Sequence, residues 1–127
     1  MDDFYKEYIL DHYRNPRNFG HLEHPTTKAE DLNPLCGDTI TMELAVDDAG
    51  KVSDVKFSGR GCAISQASAS IASEELKGME LSEVEGLGAD WMIELLGIPV
   101  SATRRKCALL NLKVVRGAVS GDHDWPT

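Results

Sequence analysis

The chain has 127 residues, 42% of them apolar and 27% charged, and this length and composition fit one globular domain. Asp and Glu number 21 against 13 Lys and Arg, so the net charge is −8, the wrong sign for a protein that binds nucleic acid through its phosphates. The first ten residues mix charged and aromatic side chains, and no run of about 18 apolar residues occurs. We therefore expect a soluble, cytoplasmic protein with neither nucleic acid nor membrane as a partner.

Hydrophobic periodicity and turn residues divide the chain into helices and strands. Apolar residues recur at helical spacing near the start, alternate with polar residues after residue 38, and return to helical spacing later. The predicted elements are a helix over residues 2–13, an edge strand near 28–32, strands over 39–46 and 52–57, and helices over 62–77, 81–85, 91–96 and from about 101 onward. This order predicts an α+β fold, in which an N-terminal helix precedes a small antiparallel three-stranded sheet covered on one face by C-terminal helices.

Turn and capping residues predict where these elements end. The glycines of Ser58-Gly59-Arg60-Gly61 are expected to break the second hairpin strand. Asp90 is expected to cap the helix that begins at Trp91, and Gly97 to end it. We expect residues 1–119 to form a single domain and residues 120–127 to form a flexible C-terminal tail.

The three cysteines are the first functional clue in this chain. An odd number of cysteines without an export signal argues against a disulfide framework and favours reactive or metal-binding thiols. Cys36, Cys62 and Cys107 each fall at the edge of a predicted element, and their separations are too long for the Cys-x-x-Cys pairs of zinc ribbons. Any site that they share must therefore be assembled by the fold.

The surroundings of the cysteines favour thiolates and suggest a fourth ligand. Cys62 begins a predicted helix, where unpaired N–H groups favour a thiolate, and Cys107 follows a run of three basic residues. Asp38 lies two residues after Cys36, so its carboxylate can point to the same centre. Three thiolates and a carboxylate suit tetrahedral zinc or a [2Fe–2S] cluster equally well. The basic residues best placed by sequence to offset the negative charge are Arg60, Arg104, Arg105 and Lys106.

Several short blocks resemble the IscU/NifU-N/SufU family of iron–sulfur cluster assembly proteins. The blocks are Asn15-Pro16-Arg17-Asn18, Cys36-Gly37-Asp38, Gly59-x-Gly61-Cys62-Ala63-Ile64-Ser65 with Ala67-Ser68-Ala69-Ser70, and Lys106-Cys107-Ala108. The resemblance implies a helix, a three-stranded antiparallel sheet and packed helices. It also implies that Cys36, Asp38, Cys62 and Cys107 form a metal site. This site would accept sulfur from a cysteine desulfurase and support [2Fe–2S] assembly for recipient apo-proteins.

The chain combines features of two branches of this family. The residue directly before the third cysteine is Lys106, which resembles the lysine of zinc-type SufU members at that position. Scaffold-type IscU members have histidine there. The SufU-type insertion between the second and third cysteines is missing. A cluster scaffold and a zinc-dependent sulfurtransferase that carries no cluster therefore both stay open. Ile98-Pro99-Val100 only faintly resembles the chaperone-recognition segment of IscU-type members, so we do not expect Hsp70-type chaperone dependence.

Sulfur transfer requires a thiolate that attacks the terminal sulfur of an enzyme persulfide. We expect Cys36, on its loop, to accept sulfur first, with Cys107 as the second choice and Asp38 as the labile ligand. A less favoured alternative is an interaction module whose zinc is purely structural. The sequence leaves open whether two copies form a homodimer around a cluster.

Overall fold

The computed structural model describes residues 3–35 and 37–127. These residues form five helices and three strands. In chain order they are α1 (Asp3–Arg14), β1 (Thr27–Leu32), β2 (Thr39–Val46), β3 (Val52–Arg60), α2 (Ala63–Leu76), α3 (Leu81–Glu85), α4 (Ala89–Leu96) and α5 (Ala102–Ser120). The predicted α+β fold, with one helix before a three-stranded antiparallel sheet and the remaining helices after it, is confirmed.

The sheet has the order β1-β2-β3, and both strand pairs are antiparallel. Ile40, Met42 and Leu44 are fully buried on the central strand, as the alternating sequence predicts. The opposite face of β2 is covered as well, because Glu43 accepts hydrogen bonds from the Leu22 main chain and pairs with His21. Helices α2 and α5 pack against the sheet and against each other, and the small residues of α2 allow this close approach.

The predicted end of β3 is wrong, because the strand continues through Gly59 and ends at Arg60. Gly59 pairs with Ile40, and a Cβ atom at Gly59 would lie 2.0 Å from the main-chain oxygen of Thr39. Glycine at this position therefore permits close strand pairing and does not break the strand.

The predicted cap of α4 is also wrong. The helix begins at Ala89 with Gly88 at the cap position, and Asp90 lies within the first turn. The Ala89 main-chain N–H donates instead to the main-chain oxygen of Thr127, at 3.1 Å. A long-range contact thus replaces the expected local cap. Gly97 ends the helix in the left-handed conformation, as predicted.

The segment predicted as a tail lies against the rest of the fold. Trp125 is half-buried and packs against the core, and Pro126 is buried. The domain boundary at residue 119 and the flexibility of the tail stay predictions. No helix in the described part of the chain is both long and apolar enough to cross a membrane.

His12 joins α1 to α2 and gives the fold a pH-sensitive contact. Its ring is buried, with Nδ1 2.8 Å from the Ser70 hydroxyl and Nε2 3.8 Å from the Glu74 carboxylate. Burial lowers the pKa of His12, the Arg17 charge lowers it further, and Glu74 partly opposes both. The unfolded chain therefore binds a proton at this histidine more readily than the folded chain does.

We predict that this difference removes stability as pH falls below the unfolded histidine pKa of about 6.5. The loss continues down to the lower folded pKa of His12 and then levels off. In His12→Gln, the unfolding free energy measured by urea titration should fall less between pH 7 and pH 5 than in the parent. His24→Gln, at an exposed position, is the matched control and should keep the parental pH dependence. Parallel pH profiles for the parent and His12→Gln would contradict the prediction.

Candidate metal centre

Three side chains from distant parts of the chain meet at one end of the sheet. Asp38 precedes β2, Cys62 lies between β3 and α2, and Cys107 lies in the second turn of α5. One carboxylate oxygen and the two Sγ atoms all lie within 4.8 Å of one another. The fourth predicted ligand, Cys36, lies outside the described residues. The fold thus brings together the three predicted ligands that the structure describes.

The Asp38 carboxylate is held at the N-terminus of α2. Its Oδ1 accepts a hydrogen bond from the Cys62 main-chain N–H at 3.2 Å, and its Oδ2 lies 3.5 Å from Cys62 Sγ, which can donate to it. Asp38 is 4% exposed. A buried carboxylate needs such partners, and the positive end of the helix dipole stabilises its charge. The hydrogen bond from the Cys62 main chain therefore holds the Asp38 carboxylate facing the Cys62 thiol.

Gly61 makes room for this carboxylate. A Cβ atom at Gly61 would lie 2.4 Å from Asp38 Oδ1 and 2.8 Å from Asp38 Cβ, closer than real side chains approach. The glycine beside Cys62 therefore serves the site directly, by letting Asp38 reach the start of α2. In the sequence, the same glycine is part of the predicted strand break and of a block that resembles the family, and neither shows its contact with Asp38.

Asn33 is a site residue that sequence analysis missed. It is buried, and its side-chain amide donates toward Cys107 Sγ at 3.9 Å. Its main-chain N–H donates to the Asp38 carbonyl oxygen, and its own oxygens accept from the main-chain N–H groups of Leu35 and Gly37. Asn33 thus connects the loop before β2 to Cys107 on α5. The Asn33-Pro34 dipeptide, a turn signal, was the one local clue.

The predicted basic residues lie on two elements around the site. Arg60 is exposed at the end of β3, and Arg104 and Arg105 are exposed in the first turn of α5. Lys106 is half-buried, with its Nζ 5.2 Å from the centre of the Trp125 ring. Their role in offsetting the charge of the site stays a prediction.

The donor set fits a metal ion in composition and size. Two sulfurs and one carboxylate oxygen are ligands that zinc and iron accept, and a tetrahedral zinc ion with Zn–S bonds of about 2.3 Å separates its sulfurs by about 4 Å. The observed separations, up to 4.8 Å, need only small side-chain rotations to reach that value. Three ligands on different elements can therefore hold one ion and leave a further position for another ligand.

Comparisons with known proteins agree with this architecture. The family model for the NifU-like N-terminal domain matches residues 4–123. The zinc-dependent sulfurtransferase SufU of Bacillus subtilis is 34% identical over 137 aligned positions, covering 94% of this chain and 92% of SufU. The scaffold protein IscU of Haemophilus influenzae is 32% identical, covering 91% and 93%.

A solved structure shows the same fold. The crystal structure of FiSufU from Fervidobacterium islandicum superposes with a TM-score of 0.79 at 29% identity, covering 90% of this chain and 95% of that protein. The fold, the converging ligands and the match over residues 4–123 lead to one conclusion. The chain belongs to the NifU-like N-terminal domain family, whose members include relatives named IscU and SufU.

Proposed function

We propose that this protein accepts persulfide sulfur from a cysteine desulfurase at a site formed by three cysteines and one aspartate. We propose further that it supports [2Fe–2S] cluster assembly and transfer to apo-proteins. The observation that carries this proposal is the convergence of Asp38, Cys62 and Cys107 within 4.8 Å. The names of the IscU and SufU relatives, one a cluster scaffold and the other a sulfurtransferase, support the same chemistry.

The ligand types favour a site that exchanges ligands over a closed structural site. Structural zinc sites are typically closed by four Cys or His ligands, whereas here one described ligand is a carboxylate. An oxygen ligand is easier to displace from a thiophilic ion than a thiolate is. Cys62 is also only half-buried. These features are suited to a site that opens when sulfur or cargo arrives.

The transfer step needs no oxidant or additional reactant. A cysteine thiolate of this chain attacks the outer sulfur of the desulfurase Cys–S–S⁻ group, and a new S–S bond forms as the old one breaks. The electron pair of the broken bond leaves on the desulfurase cysteine, which departs as a thiolate. The acceptor cysteine then carries the persulfide. A metal ion bound at the site would keep the cysteine ligands deprotonated.

The exposure of its two neighbours in the chain favours Cys36 as the acceptor. Leu35 and Gly37, on either side of it, are exposed, and Leu35 is 77% exposed. Cys107, the second choice, is 3% exposed and lies in the second turn of α5. A desulfurase cysteine can therefore approach the loop more easily than it can approach the Cys107 sulfur.

Intact mass spectrometry tests sulfur acceptance directly. The full chain is mixed anaerobically with a cysteine desulfurase and free cysteine and then weighed without reduction. We expect a gain of about 32 Da, the mass of one sulfur atom, on a cysteine. An unchanged mass together with unchanged desulfurase turnover would contradict sulfur acceptance and favour a purely structural metal site.

The zinc-dependent sulfurtransferase is the second candidate function, and the lysine before Cys107 favours it. Against it, the alignment with SufU runs over 137 positions, more than the 127 residues of this chain, so SufU carries residues without a counterpart here. Metal analysis of the purified protein, followed by visible spectra after addition of iron and sulfide, separates the candidates. A scaffold develops the absorption of a [2Fe–2S] cluster, and a zinc relay keeps its zinc and stays colourless.

Asp38→Ala tests the labile-ligand role. Removing the carboxylate removes the ligand whose displacement opens the site, so we expect bound zinc or cluster to leave more slowly than in the parent. Loading through the same opening should slow by more, because one ligand is lost and the metal affinity falls. Release is measured as metal transfer to a chromogenic chelator. Asp48→Ala, in the exposed hairpin turn, is the matched control and should release metal at the parental rate. Unchanged release from Asp38→Ala would count against the role of Asp38.

A further inference from the structure

Residues 121–127, here called the C-terminal strap, run back along one face of α5. Gly121 ends α5 in the left-handed conformation, with φ of 77°, and the chain reverses there. The Asp122 carboxylate then pairs with Arg116 at 3.1 Å. His123 lies so close to Gly117 that a Cβ atom there would be 2.7 Å from the imidazole Nδ1. The strap is therefore tied to the last two turns of the helix.

Further along the strap, Trp125 contacts two lysines of α5. The Nζ atoms of Lys106 and Lys113 each lie 5.2 Å from the centre of the Trp125 ring. The two lysines are seven residues apart, so they lie on one face of the helix, two turns from each other. Both distances are within the range of attractive cation–π contacts.

The strap ends at the start of α4. Pro126 is buried, and the main-chain oxygen of Thr127 accepts the hydrogen bond from the Ala89 N–H. Trp125, Pro126 and Thr127 lie beyond residue 123, where the match to the family model ends. In the contact between Trp125 and Lys106, Trp125 thus lies outside the matched region and Lys106 lies within it.

The two lysines differ in their other contacts. Lys113 also forms an ion pair with Asp31, which balances its charge. In the described part of the chain, no carboxylate lies within ion-pair distance of Lys106. Among these residues Lys106 thus contacts the Trp125 ring but forms no ion pair, and it is the residue directly before Cys107.

We propose that Trp125 is a positioning residue that fixes the Lys106 ammonium, on the residue next to Cys107, so that its charge acts on the metal centre. This inference rests on the proposed function, because it assigns the Lys106 charge to an anionic site of thiolates and a carboxylate. A cation fixed against an aromatic ring at a half-buried position interacts more strongly with such a site than one that moves freely in water. Trp125 thereby stabilises the loaded site through Lys106.

The contact itself is tested without metal, by NMR of the full chain. The Trp125 ring current should shift the side-chain methylene signals of Lys106 and Lys113 upfield of their usual positions. Trp125→Ala should return both sets of signals to normal values, and Trp125→Phe should retain part of the shift. Lys106 signals that are normal in the parent would overturn the inference at its first step.

The effect on the site is tested by zinc transfer to a chromogenic chelator. We expect Trp125→Ala to release zinc about two- to fivefold faster than the parent, and Trp125→Phe to restore most of the difference. Lys106→Gln should release zinc at least as fast as Trp125→Ala. In the Lys106→Gln background, Trp125→Ala should have no further effect, because the charge that it positions is gone. Lys113→Gln, which removes the other ammonium, is the matched control and should leave the rate unchanged.

Two outcomes would overturn the inference. One is an equal rate for Trp125→Ala and the parent, and the other is a rate increase of the same size with and without Lys106, which indicates a merely structural role. The persulfide assay reports on the proposed function separately. A parent chain that accepts sulfur, combined with either of these outcomes, defeats the positioning role alone, whereas a parent chain that accepts no sulfur defeats the proposed function.

Discussion

Replacement of Cys36 by serine is expected to abolish the 32 Da gain in the persulfide assay. Serine cannot form a persulfide, and neither of the other cysteines is fully exposed, since Cys62 is half-buried and Cys107 is 3% exposed. The chain around position 36 is exposed on both sides. We therefore expect complete loss of sulfur acceptance over the time in which the parent reacts fully.

Cys107→Ser is the matched control for this variant. It also removes one predicted metal ligand, but it should still gain about 32 Da, and digestion should place the sulfur on Cys36. The assignment would be contradicted if Cys36→Ser gained sulfur at the parental rate and carried it on Cys107. In that case the buried cysteine becomes accessible during the encounter and is itself the acceptor.

Gly61→Ala is expected to damage the metal centre more than the fold. The new methyl group would lie 2.4 Å from the Asp38 carboxylate, so Asp38 must leave its position at the start of α2. Misplacing a group that orients or supplies a metal ligand typically costs about 10–100-fold in metal affinity. We expect a loss of that size in zinc affinity, measured by competition with a chelator of known affinity.

Gly78→Ala is the matched control for the glycine substitution. Gly78 has φ of 91°, and nothing lies within 4 Å of the position of its missing Cβ atom. Alanine there should cost about 1–2 kcal/mol of unfolding free energy, from the left-handed backbone alone, and leave zinc affinity unchanged. Parental zinc affinity in folded Gly61→Ala protein would show that the position of Asp38 does not matter to the site.

Local sequence patterns predicted most of the fold because most strands and helices show the expected spacing of apolar residues and end at turn or capping residues. The alternation from Thr39 to Val46 marks a strand with a buried face, and Gly97 ends α4 as a left-handed C-cap. The errors occurred where long-range contacts replace local ones. Gly59 reads as a strand break but pairs with Ile40, and the N-terminus of α4 bonds to Thr127, 38 residues away, in place of an Asp90 cap.

The candidate site was only partly visible in the sequence. Asp38, Cys62 and Cys107 were named from their residue types and from the family resemblance, but no spacing rule could bring them together. Their convergence depends on how β2, β3, α2 and α5 meet. Asn33 was missed because its contact with Cys107 joins residues that are far apart in the chain. Trp125 was assigned to a tail because no local pattern shows that it returns to α5.

X-ray absorption at the zinc edge, on the full chain loaded with one zinc ion, tests the central claim most directly. The claim is that distant cysteines and Asp38 bind one metal ion. We expect a first shell of three sulfurs at about 2.3 Å and one oxygen at about 2.0 Å. A first shell of nitrogen and oxygen alone, or one with a single sulfur, would contradict the proposed metal centre.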